Sequence, residues 1–198
     1  LSKTVEFFFD VGSPTAYLAW TQLPGIVATH HATLVYRPIL LGGIFQATGN
    51  VAPGSIAAKG TYMNRDMARF AKRYGVPLTM NPFFPINTLF LMRAITGVQM
   101  TMPERFEPLV KAVFNVMWVE PENLNDPTVT ARALGNAGFA PEALLQLSGR
   151  ADVKAQLRAA TEEAVARGAY GAPTMFVGDE MFFGQDRLDF VAEELARI

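Results

Sequence analysis

The sequence predicts an α/β domain whose sheet is assembled from both ends of the chain, with a large all-helical insertion between them. Three observations carry this. The chain opens as strand, helix, strand; it closes as a hairpin followed by a helix; and the long middle has helical composition with little β signal. The sheet-forming parts cover about 1–40 and 168–198, and the insertion covers about 41–167. One sheet built from both ends explains this order better than two separate domains do.

Residues 4–10, TVEFFFD, are short, aromatic and β-branched, and a turn signal follows, so they predict a buried strand. Ser13 as a cap and Pro14 at a first helical position then open a helix running to about Thr29. Residues 33–39 predict a second strand. So short a strand–helix–strand unit predicts that its two strands are parallel.

Residues 40–56 read as a loop, because Gly42-Gly43, Gly49-Asn50 and Pro53-Gly54 punctuate them. A helix is expected over 58–74, ended by Gly75 with Pro77 beyond. Asn87 is expected to cap a helix reaching about Thr96, and further helices are expected over 103–118, 127–137, 141–148 and 151–167. Thr174 to Val177 reads as a strand, Gly178-Asp179 as a turn, and Glu180 to Phe183 as the returning strand. Gln185-Asp186 opens a last helix in which Leu188, Val191, Ala192, Leu195 and Ile198 keep the helical period.

Composition narrows the function. Of 198 residues, 50% are hydrophobic and 18% charged, enough for a substantial core. A formal net charge of −1 gives no sign of a nucleic-acid surface or a polybasic membrane patch. No apolar run approaches the roughly 20 residues that span a bilayer. With no signal-peptide pattern at the start, a soluble cytoplasmic protein is expected. Cysteine is absent, which excludes disulfides, thiolate metal ligands and dithiol–disulfide exchange by the protein itself. His30 and His31, the only histidines, are adjacent and fall short of a metal site, so no metal is expected.

Four stretches could carry chemistry. Ser13 can be simply an N-cap. The same geometry lets a hydroxyl at a helix N-terminus donate to an anion or thiolate brought by a ligand, where free N–H groups and the helix dipole already favour negative charge. As a nucleophile Ser13 is less convincing, since no adjacent base or Gly-x-Ser-x-Gly elbow accompanies it. Gly171-Ala172-Pro173-Thr174 reads either as a turn into a strand or as a cis-proline loop that offers the Ala172 backbone to an extended peptide. Phe183-Gly184-Gln185-Asp186 reads as a capped helix start, or as a site for an amino-acid-like group whose carboxylate meets helix N–H groups and whose ammonium meets Asp186. Lys59 and Asn50 are ordinary surface and turn residues unless a ligand recruits them.

In this order, the stretches FFFDVGSPTAYLA at 7–19, GNVAP at 49–53, VFNVMWVE at 113–120 and GAPTMFVGDEMFFGQDRL at 171–188 resemble one family. The chain looks like a 2-hydroxychromene-2-carboxylate isomerase, of the thioredoxin-like group that includes DsbA and the kappa-class glutathione transferases. The resemblance implies a thioredoxin-like fold, glutathione as cofactor, a small aromatic substrate and a homodimer. It implies that Ser13 hydrogen-bonds and activates the glutathione sulfur. Ala172, before Pro173, would pair with the cysteinyl part, and Phe183, Gln185 and Asp186 would border and hold the γ-glutamyl end. Asn50 and Lys59 would help hold the peptide, Lys59 through a carboxylate. Some isomerases of the family carry a lysine for the substrate carboxylate just before the Gly-Asn element; here Phe45 aligns there, and Arg37, Arg93 or Lys59 would have to supply the charge. Phe83, Phe84, Phe90, Trp118 and Tyr62 are candidates for an apolar wall around the substrate ring. A kappa-like transferase and a non-catalytic glutathione-binding domain are the other functions this pattern allows.

Overall fold

The computed structural model describes residues 3–197. Strand β1 (Thr4–Phe9) leads into α1 (Pro14–Thr29) and β2 (Thr33–Pro38). At the other end of the chain lie β3 (Thr174–Val177), β4 (Glu180–Phe183) and α9 (Leu188–Ala196). Together the strands make one sheet in the order β2-β1-β3-β4. As expected, β1 and β2 are parallel, with Phe7 opposite Tyr36; β3 runs antiparallel to both β1 and β4. Ile198 lies outside the described residues.

The central place of β1 explains its composition. Phe7, Phe8 and Phe9 are all fully buried, because the strand has neighbours on both edges and packed layers on both faces. Each such burial stabilises the fold by roughly 1.5–3 kcal/mol. Val5, Phe7 and Phe9 point into the larger core with Leu18, Phe114 and Trp118. Phe8 points the other way, onto Phe176, Ile39 and Ile44. Glu6 shares the Phe8 face and meets the Arg167 guanidinium at 2.6 Å and that of Arg37 at 3.6 Å.

The helices between the two halves are α2 (Leu41–Thr48), α3 (Ala57–Tyr74), α4 (Leu89–Thr101), α5 (Phe106–Trp118), α6 (Pro127–Asn136), α7 (Pro141–Gly149) and α8 (Ala151–Ala166). Gly75 ends α3 in the left-handed conformation, as its position predicts. Two expectations need correction. The expected loop 40–56 contains α2, whose first N–H, from Leu41, is received by the Asp10 carboxylate at 2.8 Å. That partner lies far away in sequence, so no local signal announces the helix. Helix α4 begins one residue later than expected, after Thr88, although Asn87 Oδ1 does accept its first N–H, from Leu89, at 3.1 Å, and it continues past Thr96 to Thr101. Its continuation passes through Gly97, where an added Cβ would sit 2.5 Å from Leu147 Cγ; the glycine marks a close approach to α7, not a helix end.

Candidate functional site

The turn between β1 and α1 is clamped from several directions. Trp118 Nε1 donates to the Val11 carbonyl at 2.8 Å, and Val11 N–H points at Met92 Sδ at 3.4 Å. Asp10, fully buried, accepts from Gly12 N–H at 2.9 Å, from Leu41 N–H and from the Thr88 hydroxyl at 3.1 Å. Burial pushes the Asp10 carboxyl above its ordinary range, and the three donors only partly offset this. One side chain thus joins the start of α2 and the cap of α4 to the turn that presents Ser13.

Ser13 caps α1 and is only 4% exposed. Its oxygen accepts the Ala16 N–H at 3.1 Å, and its hydroxyl donates to the Ala172 carbonyl at 2.9 Å. Thr15 Oγ1 lies 2.9 Å from Ser13 Oγ and 3.4 Å from the same carbonyl. A hydroxyl has one proton. With that of Ser13 on Ala172, the Thr15 proton can go to Ser13 Oγ at 2.9 Å or to the same carbonyl at 3.4 Å. Sequence reasoning missed Thr15; the signal available was its hydroxyl two residues past a cap serine.

The Ala172–Pro173 peptide is cis. Among the described residues the Ala172 N–H has no hydrogen-bond partner, whereas the Pro173 carbonyl is taken by Gly184 N–H at 3.0 Å. That bond brings the 183–186 segment beside Ala172. The Phe183 ring packs tilted, at 43°, against Tyr170 with centroids 4.4 Å apart and closes over Gly171, where a Cβ would meet it at 2.8 Å. Gln185 is 5% exposed, yet its side-chain amide makes no hydrogen bond among the described residues. Its carbonyl accepts from Tyr74 Oη at 2.7 Å; burial, with Asp189 and Asp186 nearby, holds that phenol up to about 12, so it remains a donor at neutral pH. Asp186 is exposed and paired with Arg187 at 2.7 Å. Asn50 Nδ2 reaches across from the end of α2 to the Tyr170 carbonyl at 2.8 Å.

The structure therefore gathers Ser13, Ala172, Pro173, Phe183, Gln185, Asp186 and Asn50 around one end of the sheet. Lys59 lines a shallow groove of about 330 Å³ with Pro53 and Tyr62, a groove that none of these residues lines. Of the cations considered for a substrate carboxylate, Arg37 is already committed to Glu6 and Glu163 and lies over the Phe8 ring at 5.2 Å. Arg93 lines a separate cavity, described below. Trp118 is fully buried in the core and Phe90 packs against that core, so neither forms a wall. Phe83, Phe84 and Tyr62 are exposed, with Phe84 resting on Trp118 at 5.9 Å. Among the described residues no cluster of His, Asp and Glu could hold a metal ion, and no helix is long and apolar enough to cross a membrane.

The site offers a backbone N–H at Ala172 and a side-chain amide at Gln185 without partners among the described residues, beside the N-terminus of α1, donors that can meet a polar or anionic ligand.

A DSBA-like thioredoxin domain model matches residues 4–196. Over 200 residues the chain is 31% identical to 2-hydroxychromene-2-carboxylate isomerase of Sphingobium xenophagum, covering 98% of this chain and 99% of that one. Over 207 residues it is 30% identical to glutathione S-transferase kappa 1 of Homo sapiens, covering 98% and 92%. A solved structure of 2-hydroxychromene-2-carboxylate isomerase superposes with a TM-score of 0.84 at 27% identity, covering 98% of this chain and 95% of that one. A probable DsbA oxidoreductase from Streptomyces coelicolor shares the fold, with a TM-score of 0.74 at 17% identity over 98% and 89% of the two chains. The chain belongs to the DSBA-like thioredoxin domain family, and the relatives it matches along its whole length are 2-hydroxychromene-2-carboxylate isomerases and kappa-class glutathione transferases.

Proposed function

We propose that this protein is a glutathione-dependent isomerase that interconverts 2-hydroxychromene-2-carboxylate and trans-o-hydroxybenzylidenepyruvate. The observation that carries the reading is the Ser13 hydroxyl, buried at the N-terminus of α1 and bonded to the carbonyl before a cis-proline, in a chain with no cysteine. Bound glutathione would supply a thiolate that adds to the conjugated double bond of the open substrate and leaves again after rotation, so that the cofactor is not consumed.

The chain's own residues do the rest. The Ala172 N–H and carbonyl pair with the peptide backbone. That pairing takes over the carbonyl to which Ser13 now donates, and the Ser13 proton is released to point at negative charge. Thr15, donating to Ser13 Oγ, strengthens that hydrogen bond, and the positive end of α1 adds to it. The Gln185 amide and the Asp186 carboxylate receive the γ-glutamyl end, Asn50 borders the peptide, and Lys59 meets a carboxylate at the far end. Phe83, Phe84 and Tyr62 form the apolar side where an aromatic ring lies. The protein acts as a homodimer in the cytoplasm, a compartment that suits a cysteine-free chain working with a reduced thiol.

A kappa-like glutathione transferase is the second reading. Phe45, apolar where isomerases of the family can carry a lysine, favours it, as does the full-length match to a kappa transferase. The test is the absorbance change of 2-hydroxychromene-2-carboxylate with purified protein, with and without glutathione, while free thiol is counted. Conversion that requires glutathione and leaves its amount unchanged supports the isomerase. Loss of thiol with a released conjugate supports the transferase. No glutathione binding at millimolar concentration overturns both.

A further inference from the structure

Beyond the Ser13 site, α2, α4 and α8 enclose a cavity of about 670 Å³. That volume lies within the usual range for small-molecule sites, roughly 300–1,000 Å³. None of the residues gathered around Ser13 and Ala172 lines it. Its walls combine two chemistries: Leu89 and Leu157 are apolar, while Arg93, Lys154 and Arg158 are cationic, and Glu162 is the acid among its lining residues. The balance is two positive charges.

Elsewhere Arg37, Arg69, Arg132, Arg150, Arg167, Arg187 and Arg197 each meet a carboxylate. Arg73 and Arg105 lie over the Phe70 and Phe139 rings. Among the described residues Arg93, Lys154 and Arg158 have neither an acid within 4.0 Å nor a ring beneath them; Glu162, though in the same wall, pairs with none of them. Arg65, Lys59, Lys72 and Lys111 likewise meet no carboxylate or ring, but only here do three such cations line one cavity among the described residues. Arg93 is moreover half-buried on α4, where a guanidinium loses part of its hydration without gaining a counter-ion. Lys154 and Arg158 stand one helical turn apart on α8 and so share a face.

We infer that the cavity between α2, α4 and α8 binds a small carboxylate with an apolar body. The carboxylate is held by Arg93 and Arg158 with Lys154, and the apolar body lies against Leu89 and Leu157. This inference does not depend on the glutathione reading, since it uses no residue of that site.

Calorimetric titration of the intact protein with 2-naphthoate, beside the neutral 2-naphthamide, tests it. The acid is expected to bind with a Kd below millimolar and the amide at least about tenfold more weakly, since a charge-assisted hydrogen bond is worth about that factor or more. An Arg93→Gln, Arg158→Gln double variant should lose at least about tenfold for the acid. Ala47→Trp, an exposed α2 position lining the cavity, should block it by filling space without touching a charge. Glutathione titrations on both variants should match the unchanged protein, which separates this site from the Ser13 site. Equal binding of acid and amide, unchanged affinity in both variants, or no heat at several millimolar acid would each overturn the inference.

Discussion

Ser13 Oγ donates its proton to the Ala172 carbonyl at 2.9 Å, across 159 positions of sequence. The hydroxyl at the start of α1 and the peptide-pairing residue before Pro173 therefore occupy one another. A ligand backbone that pairs with Ala172 releases the hydroxyl at the place where the ligand's own charged atom arrives.

Replacing Ser13 by alanine removes both roles of the oxygen. The lost N-cap is expected to cost about 1 kcal/mol of stability, read by urea denaturation. Loss of a donor aimed at developing negative charge is expected to lower kcat by about 10²–10³-fold. Glutathione affinity should change only a few-fold, because the Ala172 backbone and the 183–186 segment remain. An S13A variant that keeps full turnover would remove Ser13 from the mechanism.

Thr15 supports Ser13 through a hydroxyl 2.9 Å from Ser13 Oγ, which donates to that oxygen once a ligand occupies the Ala172 carbonyl. Thr15→Val keeps the shape and removes the donor. A neutral hydrogen bond of about 1 kcal/mol predicts a loss of about 3–10-fold in kcat and a rise in the pKa of the bound thiol, followed by thiolate absorbance against pH. Thr15→Ser should restore both. A structural role alone would leave the thiol titration where it was.

The halves of the molecule differ in how far the sequence reveals them. The strands and the closing hairpin are legible because TVEFFFD and the Gly178-Asp179 turn carry local signals that no distant contact overrides. The missed helix α2 is specified from afar, by the Asp10 carboxylate on its first N–H and by Thr161 Oγ1 accepting from Leu40 N–H at 3.0 Å. The candidate site divides in the same way. Ser13 and the 171–174 and 183–186 stretches stand out as turns at element ends. Asp10 and Thr15 do not, because their importance lies in what their oxygens meet. Trp118 and Arg37 look available in sequence but are consumed by the core and by an ion-pair network.

Asp10 gives a pH prediction whose sign follows from its burial. Its folded-state pKa is raised above the ordinary 3.8, so the native state holds the proton more tightly than the unfolded chain does. Stability from this group is therefore fully present below 3.8 and is lost as pH rises through the raised value. Asp10→Asn cannot accept from Gly12, Leu41 and Thr88 together, and the unpaired N–H is expected to cost about 1–3 kcal/mol. Because the asparagine does not ionise, its deficit should be largest at acid pH and shrink as pH rises. Urea denaturation of both proteins at several pH values measures this. A deficit that grows with pH would reverse the assigned direction.

Gly184 links the hairpin to the last helix at φ 98° and ψ 149°, a region essentially reserved for glycine. An added Cβ would also lie 2.5 Å from Asp186 Oδ1. Gly184→Ala therefore has to move the backbone that holds Gln185 and Asp186, and it strains the Gly184 N–H bond to the Pro173 carbonyl. The expected cost is about 1–3 kcal/mol of stability. Glutathione affinity should fall with it, because the Gln185 amide and the Asp186 carboxylate shift together. Asp186→Ala relieves the steric part but not the backbone strain, so combining it with Gly184→Ala should recover part of the stability and none of the affinity. A double variant that regains affinity along with stability would show that Gly184 serves the fold alone and that Asp186 does not contact the ligand.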